Sequence, residues 1–161
     1  MGGKRKLIKK WVRSLPRSKM VFPKTLDERA RYLVWKICAP IHPYLRDLFL
    51  LTGLMKHEGR QNYLLGRLTP EHSVEKLVDH LIENGYGNHF LAWKDDDEIL
   101  GLRSVVSFQH QYHLRIFEDG EVRGHFEYTP ECHPFKHLRK IGQEARREEF
   151  MTLLNGWVTP A

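Results

Sequence analysis

The sequence predicts an α+β protein, with helices toward the N-terminal end, two antiparallel β-hairpins that can join into one sheet, and helices again at the C-terminal end. Three observations predict it. Apolar residues recur at helical spacing over residues 73–84, between Ser73 as N-cap and Gly85 as stop. Residues 110–128, HQYHLRIFEDGEVRGHFEY, alternate in character around a Glu118-Asp119-Gly120 turn. Residues 143–154 place Glu144, Arg146, Arg147, Glu148 and Glu149 on one side and Phe150, Leu153 and Leu154 on the other.

The first element is a basic arm, residues 1–24, followed by a single domain over residues 25–161. Residues 1–25 hold nine of the 26 basic residues and no acid, which leaves 17 basic against 20 acidic residues, a net −3, for the rest. The +6 of the whole chain therefore belongs to the arm, and a generally basic surface on the body is not supported. Within the arm, Leu7, Ile8, Trp11, Val12 and Leu15 recur at helical spacing until Pro16 interrupts. Lys4, Arg5, Lys6, Lys9, Lys10 and Arg13 occupy the other side. Such a segment fits nucleic-acid phosphates, an anionic lipid surface contacted by residues 5–15, an organelle-targeting presequence, or a tail that docks its Trp11 stripe on the body or stays flexible and disordered. Myristoylation at Gly2 is disfavoured because Lys6 stands where the motif wants Ser or Thr.

Thr25 and Glu28 have capping-box spacing, so residues 25–38 read as a helix with Tyr32, Leu33, Trp35 and Ile37 available for burial. Pro40 ends it. Pro43 suits the first turn of a second helix, residues 44–55, whose Leu48-Phe49-Leu50-Leu51 run reads as central core. Residues 59–68 lean toward a third helix. In the 73–84 helix His80 lies beside the apolar stripe, at its boundary. Leu91 and Trp93 then face Leu102 and Leu100 across an acidic loop from Asp95 to Glu98, which makes the first hairpin.

Residues 43–103, taken as helices followed by a hairpin, resemble a winged helix-turn-helix arrangement in topology, with no family motif behind the likeness. The resemblance implies a scaffold rather than a DNA-reading wing, because the acidic tip repels phosphates. The same carboxylates lack the alternating ligands, Gly and distal Glu of a calcium loop.

The second hairpin carries the chemistry. With Gly120 in the left-handed position of a three-residue loop, His110, Tyr112, Leu114 and Ile116 share a face with Tyr128, Phe126, Gly124 and Val122. The other face then pairs Gln111 with Glu127, His113 with His125, Arg115 with Arg123 and Phe117 with Glu121. A one-residue slip would mix apolar and charged side chains on each face. Opposed arginines need a counterion, and Glu118, Glu121 and Glu127 are the internal candidates. An external anion is the alternative, since paired guanidinium groups match phosphate or carboxylate.

His113, His125 and Glu127 also make a possible two-histidine, one-carboxylate metal set. His110 does not join it, because strand parity sends it to the opposite face from His113. Cys132, His133 and His137 follow, without the C-x-x-C pair of a zinc knuckle. After a turn at Thr129-Pro130-Glu131, residues 135–140 read as a short helix before the last one. No phosphate loop, dinucleotide-binding fingerprint, H-E-x-x-H or nucleophile elbow occurs, and no cofactor is indicated.

Three functional readings follow. The first is a nucleic-acid-associated protein, with phosphate affinity from the arm and Arg115, Arg123, His113 and His125 as contacts. The second is a small hydrolase or phosphoryl-transfer enzyme, metal-dependent or not, with His113 or His125 as base and Glu127 as orienter or ligand. The third is a scaffold subunit with a protein partner. Two cysteines, no apolar run long enough to span a membrane and no secretory signal suggest reduced thiols and a cytoplasmic setting, with organelle targeting as the alternative.

Overall fold

A computed structural model describes residues 8, 10–54, 63–88 and 97–161. Residues 8 and 10–14 are helical (α1), followed by α2 (Leu26–Cys38), α3 (His42–Leu51), β1 (Leu64–Leu68), α4 (Val74–Glu83), β2 (Gly87–Asn88), β3 (Glu98–Val105), β4 (His110–Phe117), β5 (Glu121–Tyr128), α5 (Pro134–Leu138), α6 (Arg147–Leu153) and β6 (Val158–Pro160). The six strands form one antiparallel sheet in the order β2-β3-β4-β5-β1-β6. The α+β class follows directly. No helix of the described residues is long and apolar enough to cross a membrane.

The β4-β5 register is the one that face consistency demands: His113 pairs with His125, Arg115 with Arg123, Gln111 with Glu127 and Ile116 with Val122. Gly120 takes φ 83°, and its N–H donates to the Phe117 carbonyl. One face of the sheet buries Leu100, Leu102, Leu114, Ile116 and Val122 completely or nearly so. Against it pack Leu77, Val78 and Leu81 of α4, with Phe150 and Leu154 from the α6 region. The Ser73 side chain caps α4 by accepting from Lys76 N–H. His80 is half-buried at the edge of this layer, with Nε2 2.9 Å from the Leu153 carbonyl and its ring stacked on Trp157.

The arm's apolar stripe is used by the same core. Val12 is 4% exposed within it, and Ile8, Trp11 and Leu15 pack against it. The chain then runs beside β2: Asn88 N–H donates to Pro16 O and Ser18 N–H to Asn88 O.

Several expectations need correction. Residues 64–68 are a strand, not a helix, because β5 and β6 flank them on both sides. A Cβ at Gly66 would stand 2.1 Å from the Thr159 carbonyl oxygen, so this close pairing requires glycine. On one side of β3 Leu102 pairs with Asn88 of β2, and on the other Leu100 pairs with Ile116 of β4. Leu91, Trp93 and residues 59–62 lie outside the described residues, as do the 55–62 and 89–96 stretches on which the winged-helix likeness turns.

Glu98 opens β3 and is buried instead of sitting in a solvated loop, since a bulge between Glu98 and Leu100 re-aims it. The final helix begins at Arg147, not 143: Glu144 N–H and C=O pair with Phe126 backbone, and Arg146 has φ 38°. Leu33 and Ile37 of α2 are 59% and 63% exposed, because Trp35 and Ala39 are the residues that turn inward. Leu48 and Leu51 of α3 are likewise exposed. Four consecutive apolar residues on a helix point all ways round, and only Phe49 and Leu50 are half-buried.

Candidate metal centre

The second face of the sheet is buried and polar. Arg103, Gln111, Arg115, Arg123, His125 and Glu127 lie there at 2–7% exposure. Strand alternation puts them together, with Gly101 of β3 beside Arg115 and Arg103 beside His113. Buried charge is costly unless paired, and each arginine has its own carboxylate.

Arg103 donates to both oxygens of Glu131 at 3.0 and 2.8 Å. Arg115 donates to Glu98 Oε2 through Nε at 3.0 Å and Nη2 at 2.7 Å. Arg123 donates to Glu121 Oε2 at 3.2 and 2.8 Å. Arg115 and Arg123 also lie over the Phe117 ring, 4.9 and 5.9 Å from its centroid. Glu121 is one of the counterions expected from the hairpin. Glu98 is not, since it reaches the face only through the bulge.

Glu127 is left to imidazoles and amides. Its Oε1 lies 3.5 Å from His113 Nδ1 and accepts from Gln111 Nε2 at 2.8 Å. Its Oε2 lies 3.2 Å from His125 Nε2, 3.3 Å from His137 Nδ1 and 3.2 Å from Gln143 Nε2. His137 Nδ1 also stands 3.0 Å from the Tyr128 carbonyl, which can only accept, so this nitrogen carries the proton. His137 therefore donates to Tyr128, and its imidazole stands against Glu127 as a charge partner. Gln143 Nε2 is 3.1 Å from His125 Nε2.

The electrostatics follow from burial and these contacts. Burial pushes His113 down to about 3, against the pull of Glu127, so its ring is neutral. Burial would raise Glu127, but His137 and His125 hold it well below the usual carboxylate range. Burial likewise works against charge on His137, and Glu127 outweighs it to leave the imidazole raised.

His113, His125 and Glu127 each offer one ligand atom, and these atoms lie within 4.8 Å of one another. His113 Nδ1 is fully buried and has no hydrogen-bond partner. A neutral imidazole nitrogen without a proton partner, aimed at an ionised carboxylate beside a second imidazole, is the donor set a divalent transition ion takes. Hydrogen bonds to the carboxylate from Gln111 and Gln143, with the His137 imidazole beside it, are the outer support such ligands need. The cluster has an open side: the His113 and His137 side chains are 16% and 27% exposed, against 3–4% for Glu127 and His125.

The expected set His113, His125 and Glu127 thus meets in space, on the expected face, and His110 is elsewhere, stacked on Phe126 and tilted against Tyr128. Arg115 and Arg123 share that face but are engaged by Glu98 and Glu121. Lys10 and Arg13 are exposed on α1, while Lys4, Arg5, Lys6 and Lys9 lie outside the described residues. Sequence reasoning missed His137 and Gln143 as members. His137 carried a signal, lying ten residues after Glu127 on a short helix started by Pro134; Gln143 carried none. His133 goes to Arg31, and neither it nor Cys132 is among the grouped ligand atoms. No protein-family model, curated protein or solved structure matches this chain.

Proposed function

We propose that this protein is a small metal-dependent hydrolase holding one divalent transition ion on His113, His125 and Glu127. The observation that carries the reading is the buried, partnerless His113 Nδ1 set 3.5 Å from an ionised Glu127. Two nitrogens and one oxygen leave coordination positions open, and an ion so held lowers the pKa of a bound water toward neutrality and polarises a carbonyl or phosphoryl oxygen. His137 stands against the carboxylate on the solvent side, where a water or substrate would enter.

The test is elemental analysis after dialysis against zinc, manganese or iron(II), followed by hydrolysis assays on simple carboxylic and phosphoric esters. About one zinc or manganese per chain is expected, with loss in His113→Ala and His125→Ala. A wild-type protein that retains no metal overturns the site. Retention of iron alone, with oxygen-dependent turnover, overturns the hydrolytic assignment while leaving the site.

A second reading, binding of a phosphate polymer by the arm, is favoured by one observation: α1 docks its apolar side and presents Lys10 and Arg13 outward. It expects affinity that falls steeply with salt. RNA or DNA binding unchanged by Lys10→Glu/Arg13→Glu would end it.

A further inference from the structure

We infer that the outer face of α2 docks the protein on an anionic lipid surface. The helix is apolar on two opposite sides. Trp35 and Ala39 turn inward, each 8% exposed, with Tyr32 stacked on Trp35. On the other side Leu26, Ala30, Leu33 and Ile37 recur at spacings of four, three and four, with Val34 beside them. Leu26 is 82% exposed, Leu33 59% and Ile37 63%. The stripe continues past both ends of the helix through Phe22, 66% exposed, and Ile41, 48% exposed. A contiguous apolar patch of this kind on an otherwise charged protein marks an interaction surface.

The charges around the patch select its partner. Arg29 and Lys36 are seven residues apart and line one edge of the stripe, both exposed. Lys19 and Lys24 precede it, also exposed. The acids of the helix are occupied: Asp27 pairs with Arg31 at 2.8 Å, and the Glu28 carboxylate accepts from the Lys24 and Thr25 N–H groups. A second copy packed antiparallel on this stripe would bring the Arg29-Lys36 edge against itself, like charge on like charge. An anionic bilayer takes the same arrangement favourably, with aliphatic side chains entering the interface and lysines and arginines reaching the headgroups.

The arm does not compete for this role as an inserting segment. Its apolar side is spent on the core, where Val12 is 4% exposed.

Flotation of the full-length protein with phosphatidylcholine vesicles containing about one-third phosphatidylglycerol tests the inference. Association is expected with these vesicles and not with phosphatidylcholine alone. Leu33→Glu/Ile37→Glu should abolish it, and Arg29→Glu/Lys36→Glu should weaken it about tenfold or more. All four positions are exposed, so the variants should keep the wild-type circular dichroism and melting temperature.

Three results would overturn the proposal: no flotation of the wild type, flotation unchanged in Leu33→Glu/Ile37→Glu, or a lipid-free dimer that this double variant dissociates. Metal content read on the same samples should not change, which separates this surface from the metal centre.

Discussion

The two faces of one sheet are equally dry and chemically opposite. On one, Leu100, Leu102, Leu114, Ile116 and Val122 are at most 1% exposed; on the other, Arg103, Gln111, Arg115, His125 and Glu127 are 2–4% exposed. The first face needs only volume and contact, and any apolar neighbour of the right size serves. The second needs every charge answered in direction and number, because an orphaned ion there costs far more than a missing methyl. Three arginines take three carboxylates, and the carboxylate left over, Glu127, gathers the histidines. Among the described residues two buried side-chain atoms of this layer make no hydrogen bond, Glu98 Oε1 and His113 Nδ1, and the nitrogen is the one that faces Glu127 and His125.

The largest effect should come from the apolar face. Phe150→Ala empties space against Gly124 and Leu65 and should cost about 4 kcal/mol in denaturant unfolding. Metal affinity of the folded protein should not move. Next, Arg103→Met leaves Glu131 charged and buried, strips Gln111 and Ser18 of a donor, and should cost about 3 kcal/mol. Arg103→Met/Glu131→Leu should recover most of that loss. Were the double variant as unstable as the single one, the layer would depend on more than paired charge.

How far the sequence revealed this layout depends on where the deciding contacts lie. The β4-β5 register was legible because the bulged turn and the consistency of both faces are local to residues 110–128. The pairing of His113 with His125, and Glu127 beside them, came with it. Glu98 was not legible, since four acids in a row read as solvated and only the bulge before Leu100 turns one inward.

β1 is a strand because β5 and β6 hold it, not because of its own propensity. Gln143 reaches Glu127 because the chain at Glu144 is kept extended by Phe126, against the helical pattern of residues 143–154. The exposed stripe of α2 was hidden by the assumption that apolar residues at helical spacing must be core. That helix has such residues on two sides, and spacing alone does not say which is covered.

A smaller change should sharpen the contrast from the metal side. His137→Gln removes the imidazole that stands 3.3 Å from Glu127, while Gln111 and Gln143 still hydrogen-bond the carboxylate. Metal affinity by competition with a chelating dye should fall about 10- to 100-fold. An unchanged affinity would mean that His137 serves only the Tyr128 carbonyl.

The finest comparison uses two glycines, one facing each side of the sheet. A Cβ at Gly124 would stand 2.8 Å from Phe150 Cε1 and 3.0 Å from Leu65 Cδ1, so Gly124→Ala should overpack the apolar face by about 1–3 kcal/mol and leave metal affinity alone. A Cβ at Gly101 would stand 3.0 Å from His113 Nε2 and 3.1 Å from Glu98 Oε1. Both are side chains with little room to yield, because His113 is crowded by the His125 ring and Glu98 is tied to Arg115.

Gly101→Ala should cost about 1 kcal/mol of stability, yet reduce metal affinity several-fold by tilting the His113 ring. Equal metal affinities in the two variants would show that His113 adjusts freely, and its buried Nδ1 would then be an accident of packing rather than a held ligand.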